Sequence, residues 1–364
     1  MTILLFILIL SALVFVHELG HFLTAKMFGI RVDEFAIGFP PKIIGWKKGE
    51  TTYAINLIPL GGYVKIFGED PNEENTTGPD SKRSFVNVAK WKQIVILLSG
   101  IFMNLIFAWL LITASFNFGL LTAIDEGYKG NAQNISVMVL SVMKDSPGEK
   151  AGLKQGDNIL SIEAGKIKNT SPNVSDIQKI IAESKNNIVI NYKRGNATGT
   201  VNVMATSGVV EGRKAIGISM SLVGTVKYGF FQSFYEGAKL TIAETKNITK
   251  GIYGFIGGAF RGQSGLLAQV AGPVGIAGMV GEASSMGISY LLGFIAMISI
   301  NLAMLNLVPF PALDGGRVLF VLIEVIIRKK IKPVIANWAN SIGFFLLIAL
   351  MLFITYKDIL KLIK

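Results

Sequence analysis

Residues 2–21 read TILLFILILSALVFVHELGH, an apolar run that ends in two histidines four positions apart. No charged residue precedes Glu18 in this run, and His17 and His21 are the chain's only two histidines. About 20 apolar residues suffice for a helix to cross a bilayer. Residues at positions i and i+4 lie on one face of a helix. The stretch therefore predicts a membrane helix that carries a pair of imidazoles on one face.

The rest of the composition fits a membrane protein of several spans. The chain has 364 residues and is 51% hydrophobic, which is too apolar for an ordinary soluble domain. Further apolar stretches of spanning length cover residues 92–118, 287–308 and 335–356. The first stretch lacks a positively charged start and a small-residue cleavage site, so we expect a retained helix and not a signal peptide. The fold class predicted is a polytopic α-helical membrane protein with about four transmembrane helices.

The net charge of +11 is distributed in a way that indicates membrane orientation and not nucleic-acid binding. Lysines and arginines are concentrated between the first and second apolar stretches and again just before the last one, and such segments face the cytosol. Residues 119–285 then lie outside the cytosol. If the first helix enters the membrane near Ile3, His17 lies about 21 Å along it, which is nearer the cytosolic face. We therefore expect no nucleic-acid partner and a site toward the cytosolic side.

Strand and turn patterns fill the segments between the apolar stretches. Alternating apolar residues punctuated by Gly and Pro predict β-hairpins close to the membrane. A later alternation of strands and helices suffices for one small α+β domain. The predicted parts are a first transmembrane helix with the histidine pair (1–29), cytosolic or membrane-associated β-hairpins and a loop (30–91), a second transmembrane helix (92–118), the exported α+β domain (131–222), amphipathic helices and a glycine-rich segment (223–285), a third transmembrane helix with the helix that follows it (286–332), and a fourth transmembrane helix (333–364).

The histidine pair has the HExxH spacing of a zinc hydrolase. His17 and His21 can bind one zinc ion, and Glu18 between them can act as general base toward the attacking water. The rival interpretation is a set of buried polar residues that only form hydrogen bonds between helices. An ionisable residue in lipid costs about 2–3 kcal/mol or more, so its presence favours a function.

A third ligand is needed, because a catalytic zinc usually has three protein ligands. No third histidine exists, so a carboxylate must supply it. Residues 306–317 read NLVPFPALDGGR and interrupt the third apolar stretch with two prolines and two glycines. Asp314 is the only acid in this stretch and is our predicted third ligand. The alternatives are that Asp314 caps the following helix or pairs with Arg317.

Other chemistries fit the same residues less well. Two histidines and one carboxylate also bind Fe(II) in oxygenases, but those enzymes give Glu18 no role. Di-iron bundles need two Glu-x-x-His motifs, and this chain has one. Residues 262–265 (GQSG) match the GxSG of serine intramembrane proteases, but a serine nucleophile needs a base and both histidines are committed. An aspartyl mechanism needs two aspartates in spanning helices, and only Asp314 qualifies.

At this point the motifs resemble a known family. HELGH in the first helix together with NLVPFPALDGG in the third resembles the site-2 protease family of intramembrane zinc metalloproteases. Residues 146–167 (SPGEKAGLKQGDNILSIEAGKI) are similar to the PDZ domain of its bacterial members, and residues 271–278 (AGPVGIAG) resemble a glycine-proline stretch found after that domain. The resemblance implies a Zn²⁺ cofactor held by His17, His21 and Asp314, with Glu18 as catalytic base. It also implies that Asn306 helps to hold the substrate.

The resemblance further implies a zinc metalloendopeptidase in the cell (cytoplasmic/inner) membrane that performs regulated intramembrane proteolysis. Its partners would be the lipid bilayer and single-pass membrane proteins, such as anti-sigma factors or remnant signal peptides. The strands of residues 30–68 resemble the membrane-associated β-hairpin region that meets the substrate. By β-addition, an exposed strand edge among residues 52–67 would bind the unwound substrate. The single extracytoplasmic PDZ-like domain would bind a peptide or protein, or exclude large substrates. Two alternatives remain: a PDZ-type membrane scaffold with a decayed metal site, and a metal transporter or sensor.

Overall fold

The computed structural model describes residues 2–363, apart from 71–72, 125–131, 166, 185–186, 196, 211–212 and 264–269. Ser264 and Gly265 of the GxSG-like motif therefore lie outside the described residues. The chain divides into two compact units. The first unit comprises Met1–Thr113, Phe234–Ala283 and Leu292–Lys364, and the second comprises Ala114–Ser233 and Ser284–Leu291.

Helices and strands follow one another along the chain. They are α1 (Thr2–Met27), β1 (Val32–Lys48), β2 (Thr51–Ile66), α2 (Glu73–Thr77), α3 (Lys90–Phe118), β3 (Leu120–Ala123), β4 (Ala132–Val142), α4 (Pro147–Lys150), β5 (Asn158–Ala164), β6 (Ile167–Asn169), α5 (Val174–Glu183), β7 (Ile188–Arg194), β8 (Ala197–Val203), β9 (Thr206–Val210), β10 (Arg213–Ala215), β11 (Ile218–Val226), α6 (Phe230–Phe260), α7 (Pro273–Ser285), α8 (Ile288–Leu307), α9 (Asp314–Ile327) and α10 (Pro333–Ile363).

Among the described residues, four helices are long and apolar enough to cross a membrane. They are α1, α3, α8 and α10, and their positions match the four apolar stretches of the sequence. The end of α8 at Leu307 follows from Pro309 and Pro311, because proline lacks the amide donor that would continue the helix. The prediction of about four apolar helices is therefore confirmed.

Helices α1 and α3 come very close together where a glycine faces a backbone. A Cβ atom added to Gly20 would lie 2.4 Å from the backbone oxygen of Ser99. Only glycine permits such a close approach, and any larger side chain would push the helices apart. The fully buried side chains of Leu13 and Ile96 fill the adjacent core. This contact places the histidine face of α1 directly against α3.

Strands β1 and β2 form more than one simple hairpin, because each strand bends and pairs twice. Ala36 pairs with both Tyr63 and Ala54, and Ala54 also pairs with Gly45. The bend in β1 follows Gly38, whose φ of 83° suits glycine, and the two prolines after it interrupt the pairing. The result is an antiparallel sheet of four segments, in the order 62–66, 32–37, 51–56, 42–48.

This arrangement narrows the predicted strand edge to one part of its range. The sequence predicted an exposed edge among residues 52–67, but residues 52–55 are paired on both sides. The edge next to α1 is the 62–66 segment alone.

Lys26 and Arg83 hold the hairpin turn through Glu50, at 2.6 Å and 2.7 Å. These cations lower the pKa of Glu50 to about 2, so its carboxylate is charged at neutral pH.

The structure adds detail to the predicted amphipathic helices and glycine-rich segment of residues 223–285. Among the described residues of this range there are two helices, α6 of 31 residues and α7 of 13 residues. The glycine-rich segment leads into α7, whose first amides are capped from α10. The backbone N–H groups of Gly272 and Gly275 donate to Asp358 Oδ2 at 2.8 Å and 2.9 Å. A buried carboxylate at a helix N-terminus satisfies donors that would otherwise lack partners.

The second unit contains a mixed α and β core. Its main sheet has seven strands, ordered β3-β11-β4-β5-β7-β8, with β6 paired to β5. Helix α5 begins where the side chain of Asn173 accepts a hydrogen bond from the amide of Asp176, and it buries Ile177, Ile180 and Ile181 against the core. The strand–helix alternation predicted within residues 131–222 occurs here as β4, α4, β5, α5, β7 and β8.

Candidate metal centre

The structure brings His17, His21 and Asp314 together. His17 Nε2 lies 2.9 Å from Asp314 Oδ2, and His21 Nε2 lies 3.3 Å from the same oxygen. The two Nε2 atoms are 3.2 Å apart. Both histidines are buried, with 7% and 6% of their surface exposed. Three ligand atoms therefore converge between α1 and α9. In the sequence, 297 positions separate His17 from Asp314.

The turn between α8 and α9 brings Asp314 to this point. Ala312 has a φ of 75°, which is strained for a residue with a side chain. Its amide donates to Oδ1 of Asn340 on α10 at 3.2 Å, which holds the turn in place. Asp314 then starts α9. Strained backbone that a neighbouring helix supports is typical of functional sites.

The alternative roles considered for Asp314 are not what the structure shows. The N-cap residue of α9 is Leu313, and that cap has no side-chain hydrogen bond. Arg317 forms its ion pair with Glu69 at the end of the β1–β2 sheet. The Asp314 carboxylate instead faces the two imidazoles.

Helix α3 forms the wall behind the histidines. His21 Nδ1 lies 2.8 Å from the backbone oxygen of Ile96. Because a carbonyl oxygen can only accept a hydrogen bond, Nδ1 of His21 carries the ring proton. Nε2 then has a free electron pair. His17 Nδ1 lies 3.3 Å from Nδ2 of Asn104, one turn after Gly100 on the same helix. A metal-ligating histidine usually has such a partner on its other ring nitrogen.

The space between the rings fits a metal ion and depends on a glycine. A Cβ atom added to Gly100 would lie 2.5 Å from His21 Nε2 and 2.8 Å from His17 Cε1. The absence of a side chain at Gly100 thus keeps the ligand atoms accessible. Two imidazole nitrogens and one carboxylate oxygen form the donor set of a catalytic zinc site, in which a fourth position stays open. The three residues therefore fit a zinc ion.

We expect Gly100→Ala to weaken zinc binding by about tenfold or more, an effect in the range typical of changes around a metal site. The added methyl group would press on both rings and turn their Nε2 atoms away from Asp314. Zinc retained by the purified protein against a series of chelators measures the effect. Gly251→Ala in α6 is the matched control, since a Cβ there meets no atom within 4 Å. Equal zinc affinity of the two variants would contradict the geometry.

Glu18 is held by the β1–β2 sheet. Its Oε2 atom accepts a hydrogen bond of 3.1 Å from the backbone amide of Val64. Val64 belongs to the 62–66 edge segment, so the same strand edge reaches the carboxylate that follows His17. A single hydrogen bond from this backbone amide orients the Glu18 carboxylate. The other lone pairs of the carboxylate remain available to accept a proton from water.

Asn306 occupies a different position from the other predicted site residues. It lies half-buried in the last turn of α8, just before the turn that leads to Asp314. Within the described part of the chain, its side chain makes no hydrogen bond to His17, His21, Glu18 or Asp314. Its predicted role with the substrate stays a prediction.

Sequence reasoning missed three contributors to this site. Asn104 and Gly100 lie on one face of α3, and a polar residue in an apolar helix is a signal that could have identified Asn104. Gly100 lies four positions before it, so helical spacing pointed to the same face. The amide of Val64 gives no such signal, because every residue except proline carries a backbone amide.

Comparison with known proteins shows the family of the chain. The model of Peptidase family M50 matches residues 5–350. The chain is 37% identical over 354 residues to a Clostridium perfringens protein named "Putative zinc metalloprotease", covering 96% of each chain. It is 32% identical over 367 residues to a Campylobacter jejuni protein of the same name, covering 98% of this chain and 93% of the relative.

A relative with a more specific name is also similar over its full length. The chain is 30% identical over 436 residues to "Regulator of sigma-W protease RasP" of Bacillus subtilis, covering 99% of each chain. His17, Glu18, His21 and Asp314 lie within the range that the family model matches. The resemblance to site-2 proteases is thereby confirmed. The chain belongs to Peptidase family M50, the site-2 protease family.

Proposed function

We propose that this protein is an intramembrane zinc metalloendopeptidase that hydrolyses peptide bonds of membrane-spanning substrates. The observation that carries the proposal is the convergence of His17, His21 and Asp314 beside Glu18, with both histidines buried in an apolar helix. The family is one of peptidases, which favours neither a PDZ-type scaffold nor a metal transporter or sensor. Four apolar helices and this family make the protein a multi-pass membrane protein.

The chain's own residues divide the reaction between them. We assign His17, His21 and Asp314 as the residues that would hold zinc, and a zinc ion there would supply Lewis acidity toward water and the scissile carbonyl. Glu18 accepts the proton of the attacking water and delivers it to the departing amine. The Val64 amide keeps the Glu18 carboxylate pointed at the site. Asn306, at the end of α8, would hold the substrate chain next to the Glu18 carboxylate.

The 62–66 edge offers a way to hold an unwound substrate. A helical peptide bond is shielded, so a spanning substrate must unwind locally before water can attack it. An extended chain gains main-chain hydrogen bonds when it adds to a sheet edge. The 62–66 segment is such an edge, and its Val64 already contacts Glu18. A substrate strand added there would place its backbone beside the catalytic base.

We assign residues 131–222 to one PDZ-like domain outside the cytosol, because the basic residues lie in the segments on the other side. Its structure contains a groove of about 160 Å³ between β11 and α5. Residues on the walls of the groove are Gln178, Ile181, Lys214, Ile216 and Ile218. The groove would take an extended peptide of a partner protein, or the domain would exclude substrates with large exported parts.

The name of the Bacillus subtilis relative suggests a class of substrate. RasP is named as a protease that regulates sigma-W. By that similarity, this chain would cleave membrane-bound regulators such as anti-sigma factors. Remnant signal peptides are the second class considered, since they also cross the membrane once.

The test is reversible loss of cleavage on removal of metal. We expect the purified protein in lipid vesicles to cleave a single-span substrate, to lose this activity with a zinc chelator, and to regain it with about one equivalent of zinc. Gel analysis of the substrate measures it. Cleavage that survives complete removal of zinc would contradict the proposal, and so would a protein that binds no zinc at all, which would favour the scaffold.

A further inference from the structure

One face of α3 provides the outer partners of both histidines. Ile96, Gly100 and Asn104 lie at four-residue spacing, so they form a single line along the helix. Ile96 supplies the carbonyl for His21, Gly100 leaves room for both rings, and Asn104 contacts His17. The partner of His17 differs in kind from that of His21, because an amide side chain can donate as well as accept.

The tautomer of His17 decides what its partner must do. To bind zinc through Nε2, the neutral ring must carry its proton on Nδ1, which then needs an acceptor. The side-chain amide of Asn104 lies 3.3 Å from His17 Nδ1. An amide carries an acceptor as well as a donor, so its Oδ1 atom, turned toward the ring, can accept the Nδ1 proton.

The oxygen of the same amide has no partner. Asn104 is fully buried, and its Oδ1 atom makes no hydrogen bond to any residue that the structure describes. A buried amide oxygen without a partner costs about 1–3 kcal/mol, so it needs an explanation. A half-turn about χ2 exchanges Oδ1 and Nδ2 with little change in shape. After that half-turn, Oδ1 faces His17 Nδ1 and can accept its proton.

The backbone of Asn104 is held by a hydrogen bond from α8. Ser299 on α8 is fully buried and donates its hydroxyl proton to the backbone oxygen of Asn104 at 2.8 Å. This bond connects α3 to α8 directly behind His17. It holds the Cα of Asn104 in position, so that rotation about χ2 is enough to change the group presented to the ring.

We propose that Asn104 is a positioning residue for the metal site. Its Oδ1 atom accepts a hydrogen bond from the Nδ1–H group of His17. The amide thereby selects the tautomer of His17 that leaves Nε2 free for the metal. This inference rests on the proposed zinc site but concerns a residue outside the ligand set.

The test compares zinc affinity across three variants of the full-length protein, stripped of metal and titrated with zinc against competing chelators. Asn104→Leu keeps the size and removes both hydrogen-bonding groups. We expect it to bind zinc about 10–100-fold more weakly. Asn104→Asp keeps an acceptor, and we expect its affinity within about threefold of the wild type, which a merely structural role would not restore.

Gln93→Leu is the matched control. Gln93 is also a buried amide on α3, but it donates to the backbone oxygen of Val88 and does not contact the histidines. Its loss should leave zinc affinity unchanged. Far-UV circular dichroism and gel filtration in detergent check that each variant is folded, and Asn104→Asp decides the question if Asn104→Leu does not fold.

The possible outcomes distinguish a failure of the proposed zinc site from a failure of the proposed role of Asn104. If wild-type protein binds no zinc, the proposed function fails. If the wild type binds zinc and Asn104→Leu binds it equally well, only the role of Asn104 fails. Equal weakening by Asn104→Asp and Asn104→Leu also overturns the role, since an acceptor alone should then have been enough. Weakening by Asn104→Leu with recovery in Asn104→Asp supports it.

Discussion

Glu18→Gln is expected to bind zinc as tightly as the wild type and to cleave a single-span substrate about 10²–10⁴-fold more slowly, the range that general-base catalysis supplies. The glutamine keeps the shape of the side chain and its oxygen can still accept from the Val64 amide. It cannot accept a proton from water at neutral pH. Zinc content and the initial cleavage rate, measured on the same preparation in lipid vesicles, test both halves of this expectation.

Zinc binding and proton transfer are carried by different residues, so one can be lost without the other. Glu18 is not among the three residues whose ligand atoms converge, so its loss should leave the metal in place. Glu324→Gln is a suitable control, because Glu324 is also on a helix of the first unit but pairs with Lys90 away from the histidines. Unchanged cleavage by Glu18→Gln would remove Glu18 from the mechanism.

Asp314→Ala is expected to lose zinc and activity together. The change leaves two imidazoles at a site that needs three protein ligands, so the affinity should fall by more than the roughly 10–100-fold that outer contacts supply. It also removes the carboxylate oxygen that lies 2.9 Å from His17 Nε2 and 3.3 Å from His21 Nε2. Metal analysis after gel filtration measures the occupancy.

The comparison for this prediction uses another buried carboxylate of the same unit. Asp358 accepts hydrogen bonds from the amides of Gly272 and Gly275 and does not contact the histidines. Asp358→Asn should lower stability while zinc affinity remains that of the wild type. A zinc affinity that Asp314→Ala leaves intact would mean that the third ligand is elsewhere.

The apolar background explains why so much of the site could be predicted from the sequence. In a helix of leucine and isoleucine, His17, Glu18 and His21 stand out, because polar groups in lipid are costly and rarely accidental. Asp314 stands out for the same reason within a segment broken by prolines. The four apolar helices were predictable from length and hydrophobicity, which are local properties.

What the sequence could not supply depends on contacts between distant segments. The double pairing of Ala36 and Ala54 requires two bends whose partners lie far apart in the chain, so residues 30–68 indicated strands but not their order. Gly100 and Asn104 acquire their meaning only from the face of α3 that meets α1. The contact of Val64 with Glu18 uses a backbone amide, which no residue pattern distinguishes.

The most direct test of the central claim is the mass of the fragments that the wild-type protein releases from a single-span substrate in lipid vesicles, compared with Glu18→Gln. We predict a cut within the apolar segment of the substrate, toward its cytosolic half, in wild-type samples only. Cleavage confined to the soluble parts of the substrate, or identical fragments from Glu18→Gln, would contradict an intramembrane zinc peptidase built on His17, His21 and Asp314.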